Sequence, residues 1–266
     1  MIHPTTIIDP SAKIGKNFKA GPFCYIGPDV IIGDDVELKS HVVIEGHTTL
    51  GSRNIIYPFA SIGHIPQDKK YSGEATLLEI GDDNIIREYV TMQPGTATDN
   101  KLTKIGNRGL FMVGTHIAHD CIIGNDVIFA NHATLAGHVV VEDNAIIGGL
   151  SAIHQFVRIG AHAMIGGMSG VEQDVIPYGI VIGERARLAG LNLVGLKRRG
   201  FSQKSISALR EAYRTLFTPE AKEKELTFQQ RLSRIKNEKS EIQEIESLIE
   251  FIQGESHRNL CMPKGG

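Results

Sequence analysis

The chain of 266 residues has no tryptophan and few other aromatic residues, which together make up 6% of the sequence. It also lacks a surplus of either charge, because 28 Lys and Arg residues face 30 Asp and Glu residues, for a formal net charge of −2. Binding to nucleic-acid phosphates needs a basic surface, which this balance does not supply. We therefore expect no nucleic-acid partner.

Cysteines and long apolar runs are scarce as well. Cys24, Cys121 and Cys261 form an odd set without the close pairing of a metal site, so we expect reduced thiols and a cytoplasmic protein. Nothing approaches the roughly 18 consecutive apolar residues of a membrane-spanning helix. The N-terminus shows no basic stretch followed by an apolar one. The sequence therefore predicts neither a transmembrane segment nor a secretory signal.

What the chain does contain is an aliphatic residue at every sixth position. One register covers residues 2–62 and resumes over 80–92, and a second, shifted by one residue, covers 105–171 without a polar interruption. The residue four places on is small or β-branched, as at Cys24. A period of six fits neither a helix nor a single strand, so it predicts a mainly β protein, a parallel β-helix of short strands joined by corners. The corners follow glycines, often trailed by Asp, Asn or Pro, and we expect these residues to adopt the unusual φ values of tight turns.

The repeat breaks at two places and ends before the C-terminus. Two polar stretches, near 64–79 and 93–104, interrupt it and are predicted to be excursion loops, where binding groups are often held. We divide the chain into a β-helix at 1–190 and a small α-helical domain at 191–266. Within the latter, Ser202 is predicted to cap a helix through Phe217, Pro219 to begin a second helix and Ser240 a third.

Six of the eleven histidines are concentrated between positions 116 and 162. If three hexads make one turn, residues 18 apart are stacked about 4.8 Å from each other. Asp120 then lies under His138, and His119 lies under Gly137. An imidazole, a carboxylate and a backbone N–H without a side chain are therefore predicted to share one rigid wall. Such a group suits a general base with an orienting acid and an oxyanion donor.

Three readings of this cluster stay open on spacing alone. Polar corner residues of a solenoid often only hydrogen-bond one another. Histidines on adjacent turns bind zinc in some β-helix proteins, such as the γ-type carbonic anhydrases, although the His-x4-His spacing of that family is absent here. The third reading is acid–base catalysis of group transfer. A regular ice-binding surface is disfavoured because such surfaces present threonine arrays.

Four segments carry a resemblance to a known family: HIAHDC at 116–121, NHATLAGH at 131–138, AIHQF at 152–156 and GLKRRGF at 195–201. Together they resemble the UDP-N-acetylglucosamine O-acyltransferases, which open lipid A biosynthesis. The similarity runs over essentially the whole chain, including both loops and the helical tail.

The resemblance implies a left-handed parallel β-helix, a homotrimer and active sites in clefts between subunits. It also implies transfer of an R-3-hydroxyacyl chain from acyl carrier protein to the 3-hydroxyl of UDP-N-acetylglucosamine. The donor would be the thioester on the phosphopantetheine arm of the carrier protein, and no cofactor or metal would be bound. A related enzyme that acylates the 3-amino group of a sugar nucleotide is the nearest alternative.

By the same resemblance, His119 would be the general base, Asp120 its orienting carboxylate and Gly137 the oxyanion donor. The substrate-binding positions that it implies are Asp68, Lys70, His116, His138, His154, Gln155, Gly167, Asn192, Arg198 and Arg199. Asp68 and Lys70 would face the nucleotide sugar, Asn192 and the arginine pair would meet phosphates, and Gly167 would leave room for the acyl chain. Lys197, Arg210 and Arg214 are weaker candidates for docking the acidic carrier protein.

The chain also departs from the family pattern. The family commonly has His or Asn followed by Arg where this chain has Gln93 and Pro94, and often has His where this chain has Arg185. These differences concern contacts from the second loop and the acyl-chain length. Neither the chain length nor the choice between a hydroxyl and an amino acceptor follows from these residues.

Overall fold

The hexads fold into short strands, and from the fourth to the twenty-fifth each pairs in parallel with the strand three places earlier, so that three strands make one turn of a β-helix. The computed structural model describes residues 1–97, 101–218, 225–239 and 241–264. The predicted stacking of residues 18 apart is confirmed in the uninterrupted turns, for example by the pairing of His116 with Thr134. The coil therefore has three flat faces.

The strands are named in chain order and grouped by face. The first face holds β1 Ile7–Ile8, β4 Tyr25–Ile26, β7 Val43–Ile44, β10 Ser61–Ile62, β13 Thr91–Met92, β16 His116–Ile117, β19 Thr134–Leu135, β22 Ala152–Ile153 and β25 Gly170–Val171. The second face holds β2 Lys13–Ile14, β5 Ile31–Ile32, β8 His47–Leu50, β11 Leu77–Ile80, β14 Leu102–Ile105, β17 Ile122–Ile123, β20 Val140–Val141 and β23 Arg158–Ile159. The third face holds β3 Lys19–Ala20, β6 Glu37–Leu38, β9 Ile55–Ile56, β12 Ile85–Ile86, β15 Leu110–Phe111, β18 Ile128–Phe129, β21 Ile146–Ile147, β24 Met164–Ile165 and β26 Gly179–Ile182, with β27 Arg187–Leu191 antiparallel to β26.

The core is the set of residues at the sixth positions. From Ala20 onward they are buried, and the small residues four places on form a second inner layer, Cys24 among them. In the first turn Ile8 and Ile14 are only partly buried and Ile2 is 47% exposed, because no earlier turn lies beneath them. All three cysteines are free and buried.

The corners correct one expectation about glycine. Of the corner glycines that follow the core residues, only Gly63 has a positive φ; at most corners the residue two places after the glycine has it instead. These glycines allow the backbones of adjacent turns to approach each other closely. A Cβ on Gly51 would lie 2.7 Å from the carbonyl carbon of Gly81 in the next turn. The left-handed residues include Phe, Arg, Tyr, Leu and Met as well as Asp and Asn, because stacking on the next turn offsets the local strain.

The left-handed corner residues define three edges of the coil. The charged edge, between the second and third faces, carries Asn17, Asp35, Arg53, Asp83, Arg108, Asp126, Asn144, His162 and Tyr178. The apolar edge, between the third and first faces, carries Phe23, His41, Phe59, Tyr89, Gly114, His132, Leu150 and Met168. The loop edge, between the first and second faces, carries Asp29, Gly46, Gly63, Lys101, Asp120, His138 and Phe156.

Both excursions leave the coil at the loop edge. The first runs from the end of β10 to the start of β11 at Leu77, and the second from the end of β13 to the start of β14 at Leu102. Residues 98–100 of the second excursion lie outside the described residues. The loops therefore flank the edge at which His119 and His138 are found.

The chain turns helical after β27. The helices are α1 Leu193–Arg198, α2 Gln203–Phe217, α3 Phe228–Lys239 and α4 Gln243–Gln253. The prediction that Ser202 caps α2 is confirmed, since its side chain accepts a hydrogen bond from the Ser205 N–H. The predicted helix starts at Pro219 and Ser240 lie outside the described residues. Among the helices of the described part, none has the length and apolarity needed to cross a bilayer.

Candidate active site

His119 and Asp120 form a buried pair at the corner that follows β16. The His119 Nδ1 lies 2.8 Å from Asp120 Oδ2, and the two residues are only 9% and 4% exposed. An ionised carboxylate can only accept a hydrogen bond, so Nδ1 carries the proton in this contact. The other ring nitrogen, Nε2, is then unprotonated in the neutral imidazole and is able to accept a proton.

Asp120 is held as an anion by the second loop. The Thr96 N–H donates to both carboxylate oxygens, and the Thr96 hydroxyl donates to Oδ2 over 2.6 Å. The Asp120 N–H in turn donates to the Thr103 hydroxyl over 2.8 Å. Burial alone would raise the pKa of Asp120, but the hydrogen bonds from His119 and Thr96 outweigh it, and the pKa lies below its usual value. The sequence did not indicate Thr96 or Thr103, because Thr96 lies in the second loop and Thr103 lies at the start of β14, directly after the loop has broken the six-residue spacing.

Gly137 lies against the ring of His119, as the 18-residue spacing predicts. A Cβ at position 137 would fall 2.4 Å from His119 Cε1, so any side chain there would displace the imidazole. Among the described residues, no acceptor is hydrogen-bonded to the Gly137 N–H. A buried backbone N–H of this kind is rare in proteins and is available to a ligand oxygen.

His138 completes the cluster beside Asp120. Its ring is perpendicular to that of His119, with centroids 5.1 Å apart, and its Nε2 lies 3.8 Å from Asp120 Oδ2. The backbone N–H of His138 donates to the His119 carbonyl over 3.0 Å. The predicted stacking of Asp120 and His138 is therefore confirmed.

A groove of about 430 Å³ opens over the first face in front of His119. It is lined by His116, His119, Gly137 and Gln155, by Gln67 of the first loop and Gln93 of the second, and by Ala118, Thr134, Leu135, Ala136, Ala152 and Ile153. The His116 Nδ1 lies 2.7 Å from the Thr91 hydroxyl. Burial, and then the proximity of His119, lower the pKa of His116, which keeps this ring neutral. The groove is thus lined by two of the three catalytic candidates, His119 and Gly137.

Gln93 has a place in this groove even though it departs from the family pattern. Its side-chain oxygen accepts a hydrogen bond from the Gln67 N–H over 3.2 Å, which ties the two loops together. Asp68 and Lys70 follow Gln67 in a turn where the Lys70 N–H donates to Asp68 Oδ1. Neither residue lines the groove, although Gln67, directly before Asp68, does.

His154 and Gln155 are held by a residue that the sequence did not reveal. Arg258, from the C-terminal segment, lies 2.6 Å from His154 Nδ1 through Nη2 and donates to the Gln155 carbonyl through Nε over 2.9 Å. More than a hundred residues separate the partners, and no pattern in the sequence links them.

Four other predicted positions lie elsewhere on the chain. Gly167 is at the apolar edge, where a Cβ would come 3.3 Å from the Gly149 carbonyl. Asn192 is buried, caps α1 through the Gly195 N–H and donates to the His162 carbonyl. Arg198 is exposed, and Arg199 donates to the Asn144 carbonyl at the charged edge. A single chain therefore does not bring Asn192, Arg198 and Arg199 to His119. Arg185 is exposed in the turn between β26 and β27.

A second cavity, of about 460 Å³, lies beside α2 and is lined by Leu191, Leu193, Ser207, Arg210, Tyr213 and Arg214. It contains two of the basic candidates for carrier-protein docking. It offers no imidazole, carboxylate or thiol for chemistry, so the smaller groove at His119 is the better candidate for a reacting centre.

The three polar groups at His119, Asp120 and His138 are close enough to share a metal ion, with ligand atoms within 4.8 Å of one another. However, Asp120 Oδ2 already accepts hydrogen bonds from His119 and from the N–H and hydroxyl of Thr96. A metal would have to replace several of these bonds. The donor set therefore favours a hydrogen-bonded pair over a zinc centre.

Cys121 follows the pair directly but is unsuited to nucleophilic attack. It is fully buried, its thiol is directed at the Ala136 carbonyl, and burial raises its pKa to about 12. The thiolate is the reactive form, and it is almost absent near neutrality at such a pKa.

Comparisons with known proteins show similarity over almost the whole chain. Residues 174–261 match a family model described as UDP-N-acetylglucosamine O-acyltransferase, domain 2, and residues 11–46 match the bacterial transferase hexapeptide model of six repeats. A protein of Myxococcus xanthus named acyl-[acyl-carrier-protein]--UDP-N-acetylglucosamine O-acyltransferase is 48% identical over 97% of this chain and 98% of its own length. One of the same name from Paracoccus denitrificans is 55% identical over 59% of this chain and 60% of its own.

The solved structure of LpxA from Acinetobacter baumannii is similar throughout, with a TM-score of 0.92 and 46% identity over 98% of this chain and 99% of that one. The three-faced coil of hexapeptide repeats, followed in the described residues by four short helices, is the left-handed parallel β-helix architecture. The fold expected from the hexads is thereby confirmed.

Proposed function

Since the chain belongs to the UDP-N-acetylglucosamine O-acyltransferase family and is an acyltransferase, we propose that it transfers an R-3-hydroxyacyl chain from acyl carrier protein to the 3-hydroxyl of UDP-N-acetylglucosamine. This is the first step of lipid A biosynthesis. The observation that carries the proposal is the groove lined by both His119, whose Nδ1 is bound to Asp120, and Gly137, whose N–H has no acceptor among the described residues.

In the proposed reaction His119 is the general base. Its Nε2 takes the proton of the sugar 3-hydroxyl while that oxygen attacks the thioester carbon, and the carbonyl π electrons move to oxygen. The tetrahedral intermediate collapses when the C–S bond breaks, and the protonated His119 returns the proton to the leaving phosphopantetheine sulfur. No covalent acyl-enzyme and no cofactor is required, which agrees with the high pKa of Cys121.

Asp120 and Gly137 stabilise the charges that develop in this reaction. As the Nε2 gains a proton, the imidazolium lies 2.8 Å from a carboxylate that is already ionised and buried. The Gly137 N–H donates to the oxyanion of the intermediate. Fixed groups in a site with little water need no reorganisation when charge appears, and each is therefore effective.

The remaining contacts are proposed from the positions of the side chains. His116, His138, His154 and Gln155 surround the reacting centre, and Asp68 and Lys70 adjoin it from the first loop. Arg198 and Arg199 lie on another edge of the same chain, so they meet the substrate phosphates only if a second copy completes the site. We therefore propose the homotrimer with shared sites, in which Asn192 contributes by capping the helix that carries Arg198.

Three further parts of the proposal concern context. Gly167 leaves space at the apolar edge for the acyl chain. Acyl carrier protein is the macromolecular partner, and the basic groove at Arg210 and Arg214 is the docking surface that we favour because the carrier is acidic. The three free cysteines suit a reducing compartment, which supports the cytoplasm.

The test is mass spectrometry of products formed from a panel of acyl carrier protein thioesters with UDP-N-acetylglucosamine and its 3-amino analogue. We expect an ester product from the hydroxyl sugar and one preferred chain length. Product only from the amino sugar would contradict the proposed acceptor, and no product from either would contradict the proposed reaction. Zinc analysis of the active protein separates the hydratase alternative, which requires stoichiometric metal.

A further inference from the structure

We propose that Arg258 is a positioning residue for the acceptor site and acts through His154 and Gln155; this inference rests on the proposed function. Arg258 lies in the C-terminal segment after α4, far in sequence from the coil that carries the candidate base. Its guanidinium reaches the loop edge at the corner that follows β22.

The contact with His154 fixes one tautomer of the ring. An arginine has donors only, so the Nδ1 that lies 2.6 Å from Arg258 Nη2 must be the acceptor, and the ring proton is on Nε2. The Gln155 carbonyl lies 3.3 Å from the same Nδ1, a longer contact that would compete only if Nδ1 carried the proton. Arg258 therefore sets His154 to offer an N–H donor.

The position of His154 makes this donor relevant to the substrate. His154 lies one turn above Ala136 and two turns above Ala118, which line the groove, and it directly precedes Gln155, which lines it as well. The ring is exposed, and its Nε2 has no hydrogen-bond partner among the described residues. Such an N–H donor is suited to a hydrogen bond with an oxygen atom of the sugar nucleotide.

Gln155 is held by the same guanidinium. Arg258 Nε donates to the Gln155 carbonyl, so one planar side chain fixes both the ring of residue 154 and the backbone of residue 155. A lysine also has several N–H donors, but they share one nitrogen on a flexible stem and lack the rigid planar fork with which the guanidinium fixes both groups.

The C-terminal segment is anchored without Arg258. Its backbone pairs with Asp174, which accepts from the Cys261 N–H over 2.7 Å and donates to the Asn259 carbonyl over 2.9 Å. The buried Asp174 carboxylate also accepts from the Ser256 hydroxyl and from Arg158. In addition, the His257 ring packs on Phe156, which stacks on His138. Loss of the guanidinium therefore leaves the segment in place.

The test measures kcat and KM for both substrates in Arg258→Gln and Arg258→Lys. We expect Arg258→Gln to lower kcat/KM for UDP-N-acetylglucosamine about tenfold, with KM for the acyl carrier protein thioester unchanged, because a charge-assisted hydrogen bond is lost. Arg258→Lys should recover part of the loss. Glu255→Gln, which removes an exposed charge from the same segment, is the matched control and should stay within twofold of wild type.

A double-mutant cycle separates positioning from a merely structural effect. In a His154→Ala background, Arg258→Gln should cost less activity than it does in wild type, because the His154 acceptor is already gone and only the bond to the Gln155 carbonyl is left to lose. An equal loss in both backgrounds, or a loss that tracks a lowered melting temperature, would overturn the proposal, as would wild-type kinetics for Arg258→Gln. If the wild-type protein itself transfers no acyl group to the sugar nucleotide, the proposed function fails instead.

Discussion

The charged edge and the loop edge share one backbone geometry but differ in what surrounds their polar residues. Arg53 and Asp83 form an ion pair over 2.7 Å at the charged edge, with side chains that are 51% and 40% exposed. At the loop edge His119 and Asp120 form a contact of 2.8 Å, with side chains only 11% and 1% exposed. Exposed pairs contribute little free energy because water screens them, whereas buried pairs interact strongly.

The cause of this difference is the second excursion loop. Thr96 covers the Asp120 carboxylate with a hydroxyl and an N–H, and Gln93 extends the wall in front of His119. The charged edge has no excursion, since its corners keep the six-residue spacing throughout. A reactive site therefore forms where loops leave the repeat, and the regular turns supply only its rigid wall.

The largest effect that would test this contrast is loss of the base. His119→Ala should lower kcat by about a thousandfold, because general-base assistance typically contributes a factor of this order. The melting temperature should change little, since the ring lies at an edge of the coil and outside its aliphatic core. Steady-state kinetics of transfer from acyl carrier protein measure kcat, and thermal unfolding measures the melting temperature.

A histidine at the equivalent corner of another edge is the matched control. His132 has the same left-handed backbone as Asp120 and His138 but lies at the apolar edge, exposed. His132→Ala should keep full turnover. Turnover of His119→Ala within tenfold of wild type would refute the role of the loop edge.

The next effect concerns the space beside the base. Gly137→Ala places a Cβ 2.4 Å from His119 Cε1, so the ring must move, and the direction of the residue's N–H changes with it. We expect kcat to fall about a hundredfold, similar to the loss of one oxyanion donor. The fold should persist, because Gly137 has no positive φ.

Gly27 provides the control for that substitution. It lies at the loop edge too, and a Cβ there would meet Glu45 Cγ at 3.4 Å, an ordinary contact. Gly27→Ala should therefore have wild-type kinetics. Equal losses in the two variants would indicate a general sensitivity of corners to added side chains.

A smaller loss of activity should follow when a hydrogen bond that covers the Asp120 carboxylate is removed, because the loop edge then resembles the charged edge more closely. Thr96→Val removes the hydroxyl donor to Oδ2 and leaves the backbone donor in place. The pKa of Asp120 should rise, since a hydrogen bond that favours its ionised form is lost, and kcat should fall about tenfold. The acid limb of the pH–rate profile should move to higher pH.

Thr6→Val is a suitable comparison because the Thr6 hydroxyl donates to the Gly21 carbonyl in the N-terminal turns. It should leave the pH–rate profile unchanged. An unshifted acid limb in Thr96→Val would mean that the second loop does not control the charge of Asp120.

More of the scaffold than of the candidate site can be predicted from the sequence. A period of six predicts which residues are buried, Cys24 included, and which residues stack, so that the contact of His119 with Gly137 follows from counting. The cap at Ser202 follows from local chemistry. These features depend on contacts between residues at a fixed spacing in the chain, and such contacts can be predicted from the sequence alone.

Other features depend on contacts with no fixed spacing. Thr96 contacts Asp120 from a loop, and Arg258 contacts His154 although 104 positions separate them in the sequence. The left-handed φ of Phe59 is also unexpected from its residue type, because stacking between His41 and Tyr89, at 5.0 and 5.2 Å, offsets the local cost. Tertiary packing decides each of these cases.

The smallest effect that we predict lies at the charged edge, where one histidine is unlike its polar neighbours. The His162 ring stacks on Tyr178 and meets Phe201 edge-on, and its Nδ1 is buried without a hydrogen-bond partner among the described residues. Burial lowers its pKa, and nearby Arg199 lowers it further against the opposing charges of Asp143 and Glu244.

A lowered pKa in the folded state makes stability depend on pH. Below the unfolded value of about 6.5, the unfolded chain takes up a proton that the folded chain resists, so the free energy of unfolding falls as pH drops from 7 towards 5. His162→Phe keeps the ring stack and has a residue type that adopts this φ elsewhere in the coil, at Phe23 and Phe59. Thermal unfolding at pH 7 and pH 5 should show a smaller loss for the variant, by no more than about 1 kcal/mol. His116, whose pKa is also lowered, keeps part of the slope in both proteins. Identical pH dependence in the two proteins would show that the charged edge tolerates a protonated ring, and the contrast with the loop edge would then rest on His119 and Asp120 alone.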